Sequence, residues 1–264
     1  MCIRDSLWFQ ANKLNLNPSK TRYMIFNGKG TDKTDLVQID GQYIERVWSK
    51  GKEKSFKLVG IMIDETLSWQ EHISYIAKKM GYANFSLNKA RNRLNTRSKK
   101  LLYSGLIHSH LVYGAPIWGS AAKCRLDRLL KQQKKAIRKI HNLKYRDHTN
   151  SYFVKSQILK VPELMEHTTM CYIQSGTHRD SPEHIRQLWD IKTSNIDSLR
   201  QTGMKLDYPF SQKEWINKLA PIYQAKLWNN CLLDTSGEPA GFKALSKSTQ
   251  LLKYGPLESS SDEE

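Results

Sequence analysis

Residues 126–140 carry the pattern that most restricts how this chain can fold. Apolar residues and one glutamine recur at the spacing of a single helix face, at positions 126, 129, 130, 133, 137 and 140. The opposite face carries Lys131, Lys134, Lys135, Arg138 and Lys139. A helix of this kind packs on a core through one side while the other side follows a phosphate backbone. The pattern therefore predicts a core helix in a protein that binds nucleic acid.

The helix belongs to a strongly basic stretch. Between His72 and Arg146 there are eighteen Lys and Arg residues and one acid, Asp127, so this stretch alone has the +17 charge of the whole chain. A charge run is often only a solvated face, and a basic amphipathic helix can also lie on an anionic membrane. Two neighbouring helical patterns, at about 68–94 and 98–113, offer the apolar face a partner. We therefore favour core packing, with RNA or DNA as the partner.

Cysteine usage and hydropathy indicate the compartment. The four cysteines, at positions 2, 124, 171 and 231, form no Cys-x-x-Cys pair and no regular framework. We expect reduced thiols in an intracellular protein, nuclear or cytoplasmic. No apolar run approaches the roughly 18 residues of a membrane span, so no membrane is expected as a partner.

Candidate metal ligands are few. His108 and His110 are two residues apart, so on a helix they point about 200° away from each other. Cysteine 171 and histidines 178 and 184 lack the tight spacing of a structural zinc site. Asp64 and Glu65 suit the end of a strand before a helix N-terminus better than a catalytic pair. We expect no metal site in this sequence.

Residues 7–66 show strand and turn signals. Residues 21–26 are rich in strand formers, and Asp40-Gly41 within residues 37–47 predicts a two-residue hairpin. Residues 57–64 predict one strand in which Gly60 marks the close approach of a backbone or a ligand.

Two helix starts can also be predicted. Ser68 and Glu71 predict a capping box that opens the first helix of the basic stretch, with Gly81 as its weak point. Residues 158–171 predict a further helix that begins near proline 162.

Two ordered sets of residues resemble a known family. The first is Trp8-Phe9…Asn12-Lys13-Leu14-x-Leu16-Asn17-x-x-Lys20-Thr21-x-x-Met24-x-Phe26. The second is Trp69…His72-Ile73, Leu102-Tyr103, Leu106-Ile107, Leu111-x-Tyr113, Ile117-Trp118-Gly119 and Gln133-Lys134-Lys135-Ala136-Ile137-Arg138. Both look like the reverse transcriptases of LINE-type (non-LTR) retrotransposons. There, the first set follows the catalytic aspartates and the second forms the thumb.

The resemblance implies a C-terminal fragment of such a polymerase with an α+β, mainly helical fold. Residues 1–6 would be a non-native leader, residues 7–66 a palm remnant of short strands and a hairpin, and residues 67–146 a basic helical thumb. A mostly helical extension would occupy residues 147–256, and residues 257–264 would be an acidic disordered tail.

The resemblance also implies site residues. Leu58-Val59-Gly60 stands where the family has the primer grip, usually with Phe-Leu-Gly. Lys20 stands near the incoming nucleotide, although a solvated turn lysine is an equal alternative. The family's Tyr-x-Asp-Asp turn holds Mg²⁺, and this sequence contains no Asp-Asp pair. We therefore expect no catalytic residue, no cofactor and no polymerase activity here, with Mg²⁺ needed only by the complete enzyme.

The expected partner is a template–primer duplex of RNA and DNA. The cations expected to contact it are Lys89, Arg91, Arg93, Arg97, Lys99, Lys100, Lys131, Lys134, Lys135, Arg138 and Lys139. Aromatic residues interleave with this stretch, and we expect most of them to pack in the core rather than to stack on bases: Trp69, Tyr75, Tyr82, Phe85, Tyr103, Tyr113 and Trp118. The alternatives are a stand-alone, non-catalytic basic helical protein that binds nucleic acid, or a decayed element. The oligomeric state stays open.

Overall fold

A computed structural model of the chain describes residues 9, 11–14, 17–26, 37–39, 41–177, 181–187, 190–192, 205–208, 216, 219–230 and 239–254. The chain divides into two units, the first of residues 1–72 with 213–215 and the second of residues 73–212 with 216–264. Short strands dominate the first unit and helices the second, which confirms the predicted mainly helical α+β fold.

The first unit is built from short strands after a 3₁₀ turn at Pro18–Lys20. The strands are β1 (Arg22–Tyr23), β2 (Gln38–Ile39), β3 (Gln42–Tyr43), β4 (Glu45–Arg46), β5 (Phe56–Leu58) and β6 (Ile61–Ile63). Strand β1 pairs in parallel with β4, and β2 pairs with β3 as an antiparallel hairpin. Because Ile39 lies opposite Gln42, the hairpin turns at positions 40 and 41, as predicted. Gly41 has the positive φ of 76° that this turn requires, while Asp40 lies outside the described residues.

The prediction of one strand over residues 57–64 is wrong. Strands β5 and β6 instead form a tight antiparallel hairpin, with Leu58 opposite Ile61. Its two turn residues, Val59 and Gly60, have φ values of 45° and 85°. Gly60 thus marks a turn, because glycine adopts positive φ without steric cost. A β-branched valine at positive φ is uncommon, so the residue types at positions 59 and 60 do not predict this turn.

Asp64 and Glu65 organise the approach to the first helix. The Asp64 carboxylate accepts hydrogen bonds from the backbone N–H groups of Ser68 and Trp69, both at 2.9 Å. Glu65 accepts from the Ser49 N–H at 3.0 Å and pairs with the buried Arg46. The two acids are therefore structural, as expected. The capping box is only partly correct, because Asp64, rather than Glu71, binds the Ser68 N–H.

The described residues of the second unit are mostly helical and include one antiparallel pair of strands. Its helices are α1 (Gln70–Ala90, which begins in the first unit), α2 (Thr96–Tyr103), a π-helix (Ser104–His108), α3 (Ser109–Val112), α4 (Ala115–Trp118), α5 (Lys123–Ile140), α6 (Asn150–Ser156), α7 (Val161–Thr177), α8 (Glu183–Arg186), α9 (Ala220–Asn229) and α10 (Pro239–Leu252). The strand pair is β7 (Asp190–Lys192) with β8 (Lys205–Asp207). Among the described residues, no helix is long and apolar enough to cross a membrane.

The three helices predicted for the basic stretch are confirmed, with shifted ends. Helix α1 runs uninterrupted through Gly81. The second predicted helix is continuous from Thr96 to Val112, but its hydrogen bonding changes to the π pattern at Ser104–His108. The third helix extends three residues before Leu126. The helix predicted near proline 162 is also present, as α7.

A glycine-bounded break separates α3 from α5. Gly114 has a φ of 63°, which ends the preceding helix and opens α4. Trp118 is fully buried and donates a hydrogen bond from Nε1 to the Tyr113 carbonyl, at 2.9 Å. At Gly119, a Cβ atom would lie 2.6 Å from the Ala115 carbonyl oxygen and 3.3 Å from the Met165 Cβ. The break is therefore a packed corner in which only glycine fits at position 119.

Helix α7 is the central element of the second unit. It contacts α4, α5, α9 and α10. One part of its surface belongs to an apolar cluster formed by Met170, Ile173, Leu206, Ala225, Trp228 and Phe242. The basic helices and the residues that follow them thus share one core.

Candidate nucleic-acid interface

The apolar face of α5 is buried, which confirms the sequence prediction. Leu129, Ile137 and Ile140 are fully buried, and Leu126 nearly so. Gln133, the polar residue of this face, is also fully buried. Its Nε2 donates to the Tyr103 hydroxyl at 2.9 Å and to the Leu159 carbonyl at 2.8 Å, and its Oε1 accepts from the Val161 N–H at 3.0 Å. The amide is thus satisfied on both ends and connects α5 to α2 and α7.

Three lysines of α5 face outward. Lys131 and Lys135 are exposed, and Lys134 is half-buried. Lys131 and Lys135 lie opposite the buried face, whereas Lys134 lies at its edge, one turn after Leu130. These lysines have the geometry that the sequence predicted for phosphate contacts.

The last two cations of α5 form hydrogen bonds with other parts of the protein. Arg138 donates from Nε to the Asp147 carbonyl at 3.2 Å. Lys139 donates to the backbone carbonyl of Asn84 on α1, at 2.7 Å. Burial, followed by repulsion from Lys135 and Arg91, lowers the pKa of Lys139. Both side chains therefore tie α5 to its neighbours.

Lys99 lies in the core, with 1% of its surface exposed. Its ammonium group donates to the Arg91 carbonyl at 3.3 Å, to the Lys139 carbonyl at 3.4 Å and to the Asn142 Oδ1 at 3.0 Å. Burial, followed by repulsion from Arg91, lowers its pKa. Arg91 itself donates from its guanidinium to the Leu143 carbonyl at 3.0 Å. These two cations hold helix ends together.

The remaining cations lie on the surface. Lys89, Arg93 and Arg97 are exposed, and Lys100 is half-buried. The predicted set of eleven cations thus separates by hydrogen bonding: four of them, Arg91, Lys99, Arg138 and Lys139, donate to acceptors of the protein described above, and of these only Lys99 is buried.

The aromatic residues divide between core and surface. Trp69, Tyr103 and Trp118 are buried, as expected. Tyr75 is half-buried, and Tyr82, Phe85 and Tyr113 are 62%, 63% and 52% exposed, so only three of the seven lie in the core. Tyr82 and Phe85 lie on the outer face of α1.

The outer face of α1 combines these rings with lysines. Lys78, Lys79 and Lys89 are exposed on it, and the Lys89 ammonium lies 5.4 Å from the centre of the Phe85 ring. Positions 78, 82, 85 and 89 share one helical face. Their spacing, opposite the apolar positions 73, 76, 80 and 87, was a signal in the sequence for an exposed aromatic stripe.

The candidate residues of the first unit lie at turns. Leu58 and Val59 are 53% and 78% exposed at the tip of the β5–β6 hairpin, beside Gly60. Lys20 is exposed at the end of the 3₁₀ turn.

The described residues contain no group of three or more His, Cys, Asp or Glu side chains that could hold a metal ion. Asp64 and Glu65, which stand together, are occupied by the hydrogen bonds and the ion pair described above. These acids do not fit a Mg²⁺ site, and we derive no step through Mg²⁺ for this chain. Cys171, His178 and His184 are residue types that can bind zinc, and of these His178 lies outside the described residues.

Sequence comparisons connect the chain to polymerases of mobile elements. It is 27% identical over 160 residues to the RNA-directed DNA polymerase from mobile element jockey of Drosophila melanogaster, a stretch that is 60% of this chain and 16% of that protein. It is 26% identical over 142 residues to the probable RNA-directed DNA polymerase from transposon BS of Drosophila melanogaster, 52% of this chain and 15% of that protein. The jockey polymerase of Drosophila funebris is 27% identical over 88 residues.

The chain therefore spans about a sixth of the length of the curated relatives it matches. No family model and no solved structure matches it significantly. These matches confirm the resemblance seen in the sequence: over part of its length, the chain is similar to RNA-directed DNA polymerases of non-LTR retrotransposons.

Proposed function

We propose that this chain is the part of a non-LTR retrotransposon reverse transcriptase that grips the template–primer duplex through a basic helical thumb. The observation that carries the proposal is the two-sided helix α5. Its apolar face is buried around Gln133, and Lys131, Lys134 and Lys135 project from the other side. A rigid row of ammonium groups suits contacts with a phosphate backbone, which carry no base sequence.

Surface cations of the neighbouring helices extend this row. Lys89, Arg93 and Arg97 are exposed at and after the end of α1 and at the start of α2, and Lys100 is half-buried. Arg91, Lys99, Arg138 and Lys139 donate to protein carbonyls, so we assign them to the support of the interface rather than to nucleic-acid contacts.

Leu58, Val59 and Gly60 are proposed as the primer grip. Leu58 and Val59 are exposed at the tip of a tight hairpin, where apolar side chains can contact a primer strand. Their position in the sequence is that of the primer grip in the family they resemble. Lys20 remains a proposed accessory to the incoming nucleotide, supported by its exposure beside a turn and by the resemblance alone.

The activity of the complete polymerase, including its use of Mg²⁺, stays a proposal for this chain. The sequence has no Asp-Asp pair, so the expectation that the chain alone does not polymerise nucleotides stays a prediction. A polymerase that copies RNA into DNA would work in the nucleus or cytoplasm, where cysteines stay reduced.

The salt dependence of duplex binding tests the thumb. We expect the change of Lys131, Lys134 and Lys135 to Ala to lower the slope of log affinity against log salt by roughly two to three units, one for each lost phosphate contact. The chain should fold normally, because the three side chains face away from the core. Fluorescence anisotropy with an RNA–DNA hybrid, from about 50 to 200 mM salt, measures the slope.

A matched variant removes the same charge elsewhere. Lys144, Lys155 and Lys253 are exposed and lie outside the proposed row, so their joint change to Ala should leave the slope within about one unit. An equal slope change in both variants would mean that only the net charge matters. The alternative function, a stand-alone nucleic-acid-binding protein, is favoured if the hybrid is bound no better than B-form DNA.

A further inference from the structure

The second unit contains a cavity that lies apart from the outward row of α5. Its volume is about 490 Å³, and its walls come from α2, the π-helix, α3, α7, α10 and the segment after α6. Small-molecule sites fall in the range of about 300–1,000 Å³. The cavity is therefore large enough for a ligand of nucleotide size.

Three lysines are among the residues that line this cavity. Lys100 comes from α2, while Lys243 and Lys247 stand one turn apart on α10. No acidic side chain is among the described residues of the lining, and none of the three lysines forms an ion pair within the described part of the chain. A lining with three cations and no acid favours an anion as the ligand.

Polar groups that can bind an anion lie among these lysines. His108 and Ser104 come from the π-helix, and His167 and Thr168 come from α7. His167 lies within hydrogen-bond distance of the Ser246 hydroxyl, at 3.0 Å. Burial, together with the nearby lysines, lowers the pKa of His167 to about 4 and also lowers that of His108. A bound anion would relieve this repulsion.

The irregular helix at this wall is a second observation. Residues 104–108 adopt the π pattern inside an otherwise α-helical segment, and two of the five residues line the cavity. Such π segments cost stability and recur at functional sites. Here Ser104 and His108, the first and last residues of the π segment, both line the cavity.

Apolar residues also line the cavity. They are Val112, Ile158, Leu159 and Leu164. We propose that the cavity binds a nucleoside phosphate, with its phosphate at the lysines of the lining and its base against the apolar residues. A phosphate monoester carries about 1.5 to 2 negative charges near neutral pH, so it matches three lysines better than a single carboxylate does. Lys243 and Lys247 lie outside the proposed duplex contacts, whereas Lys100 belongs to both proposals.

Calorimetric titration of the full chain tests the site. Adenosine monophosphate should bind saturably and adenosine at least tenfold more weakly. The change of Lys243 and Lys247 to Gln should weaken binding of the monophosphate at least tenfold. The change of the exposed Lys144 and Lys155 to Gln, which removes the same charge outside the cavity, should alter it less than twofold.

A measurement on the unaltered chain makes the test independent of variant folding. Cys171 lines the cavity, whereas Cys124 is exposed on α5. Alkylation followed by mass spectrometry should show that the monophosphate slows modification of Cys171 and leaves Cys124 unchanged. Equal rates at Cys171 with and without saturating monophosphate would overturn the proposal, as would equal affinity for adenosine.

The ligand could be a free nucleotide or the phosphorylated end of a nucleic acid. A dinucleotide with a 5′-phosphate and the same dinucleotide with a 5′-hydroxyl distinguish the two. Tighter binding of the phosphorylated dinucleotide than of the monophosphate identifies the end of a nucleic acid as the ligand. Tighter binding of the monophosphate identifies a free nucleotide. Equal binding of both dinucleotides, each as tight as the monophosphate, refutes a phosphate site.

Discussion

Lys99 and Lys100 are neighbours in the sequence, but their ammonium groups meet different surroundings. Lys100 is half-buried beside the cavity, while Lys99 is buried between helices. The carbonyls that Lys99 binds belong to Arg91, just after α1, and Lys139, in the last turn of α5. Helix C-termini leave carbonyl groups unpaired and carry partial negative charge. Lys99 thus stabilises two helix ends with one cation.

Changing Lys99 to Met tests this role. The substitution keeps an apolar stem but leaves three acceptors without their donor, so we expect a loss of about 2–4 kcal/mol of unfolding free energy. The same change at Lys100 should cost less than about 0.5 kcal/mol, as is usual at a surface. Urea unfolding followed by circular dichroism measures both. Similar losses at the two positions would contradict the capping role.

Among the elements, α1 has two faces of different character. Its inner face, with Ile73, Ile76, Met80 and Leu87, is buried as a helical period requires. Its outer face presents Tyr82 and Phe85 between lysines. Exposed rings that alternate with cations are suited to stack on unpaired bases and to contact phosphates.

A variant of α1 with both rings removed separates stacking from charge. We expect Tyr82→Ala with Phe85→Ala to weaken binding of single-stranded RNA by about 1–3 kcal/mol for each base that stacks. The salt slope should not change, since no cation is lost. Anisotropy titrations give both quantities. Tyr145, which is 81% exposed outside α1, supplies the control, and its change to Ala should have no effect. A reduced salt slope in the double variant would argue against stacking.

At the scale of the whole molecule, burial acts on a few histidines in both units. His72 in the first unit and His141 and His167 in the second each have a pKa lowered to about 4, with burial as the largest cause. The His72 Nδ1 accepts a hydrogen bond from the Met62 N–H at 3.3 Å, a role that a protonated ring nitrogen cannot fill.

Acid should therefore destabilise the chain before its carboxylates are protonated. Between about pH 6.5 and 4 the unfolded state binds more protons than the folded state, so the unfolding free energy falls as pH falls. For the buried His72 and His167 we expect a loss of about 2 kcal/mol each by about pH 5. Denaturant unfolding at a series of pH values should show that His72→Gln flattens this dependence. The change of the exposed His148 to Gln should not flatten it.

The sequence alone determined the features that depend on local periodicity and turn chemistry. The apolar positions of α5 and α1 recur every 3.6 residues, so their burial and the three helices of the basic stretch could be predicted. The turn at positions 40 and 41 could be predicted because Asp-Gly favours positive φ. The resemblance to polymerases could be recognised from the order of residue types along the chain, without knowledge of tertiary contacts.

Only the tertiary structure decided where each charge and ring lies. Lys99 and Lys135 look alike in a basic stretch, but the first bonds to carbonyls up to 43 positions away, at Asn142, and the second remains in water. The cavity unites α2, the π-helix, α7 and α10, whose residues are too far apart in the chain for any spacing to connect them. Period and turn type are local properties, whereas burial is set by the distant elements that happen to pack on a side chain.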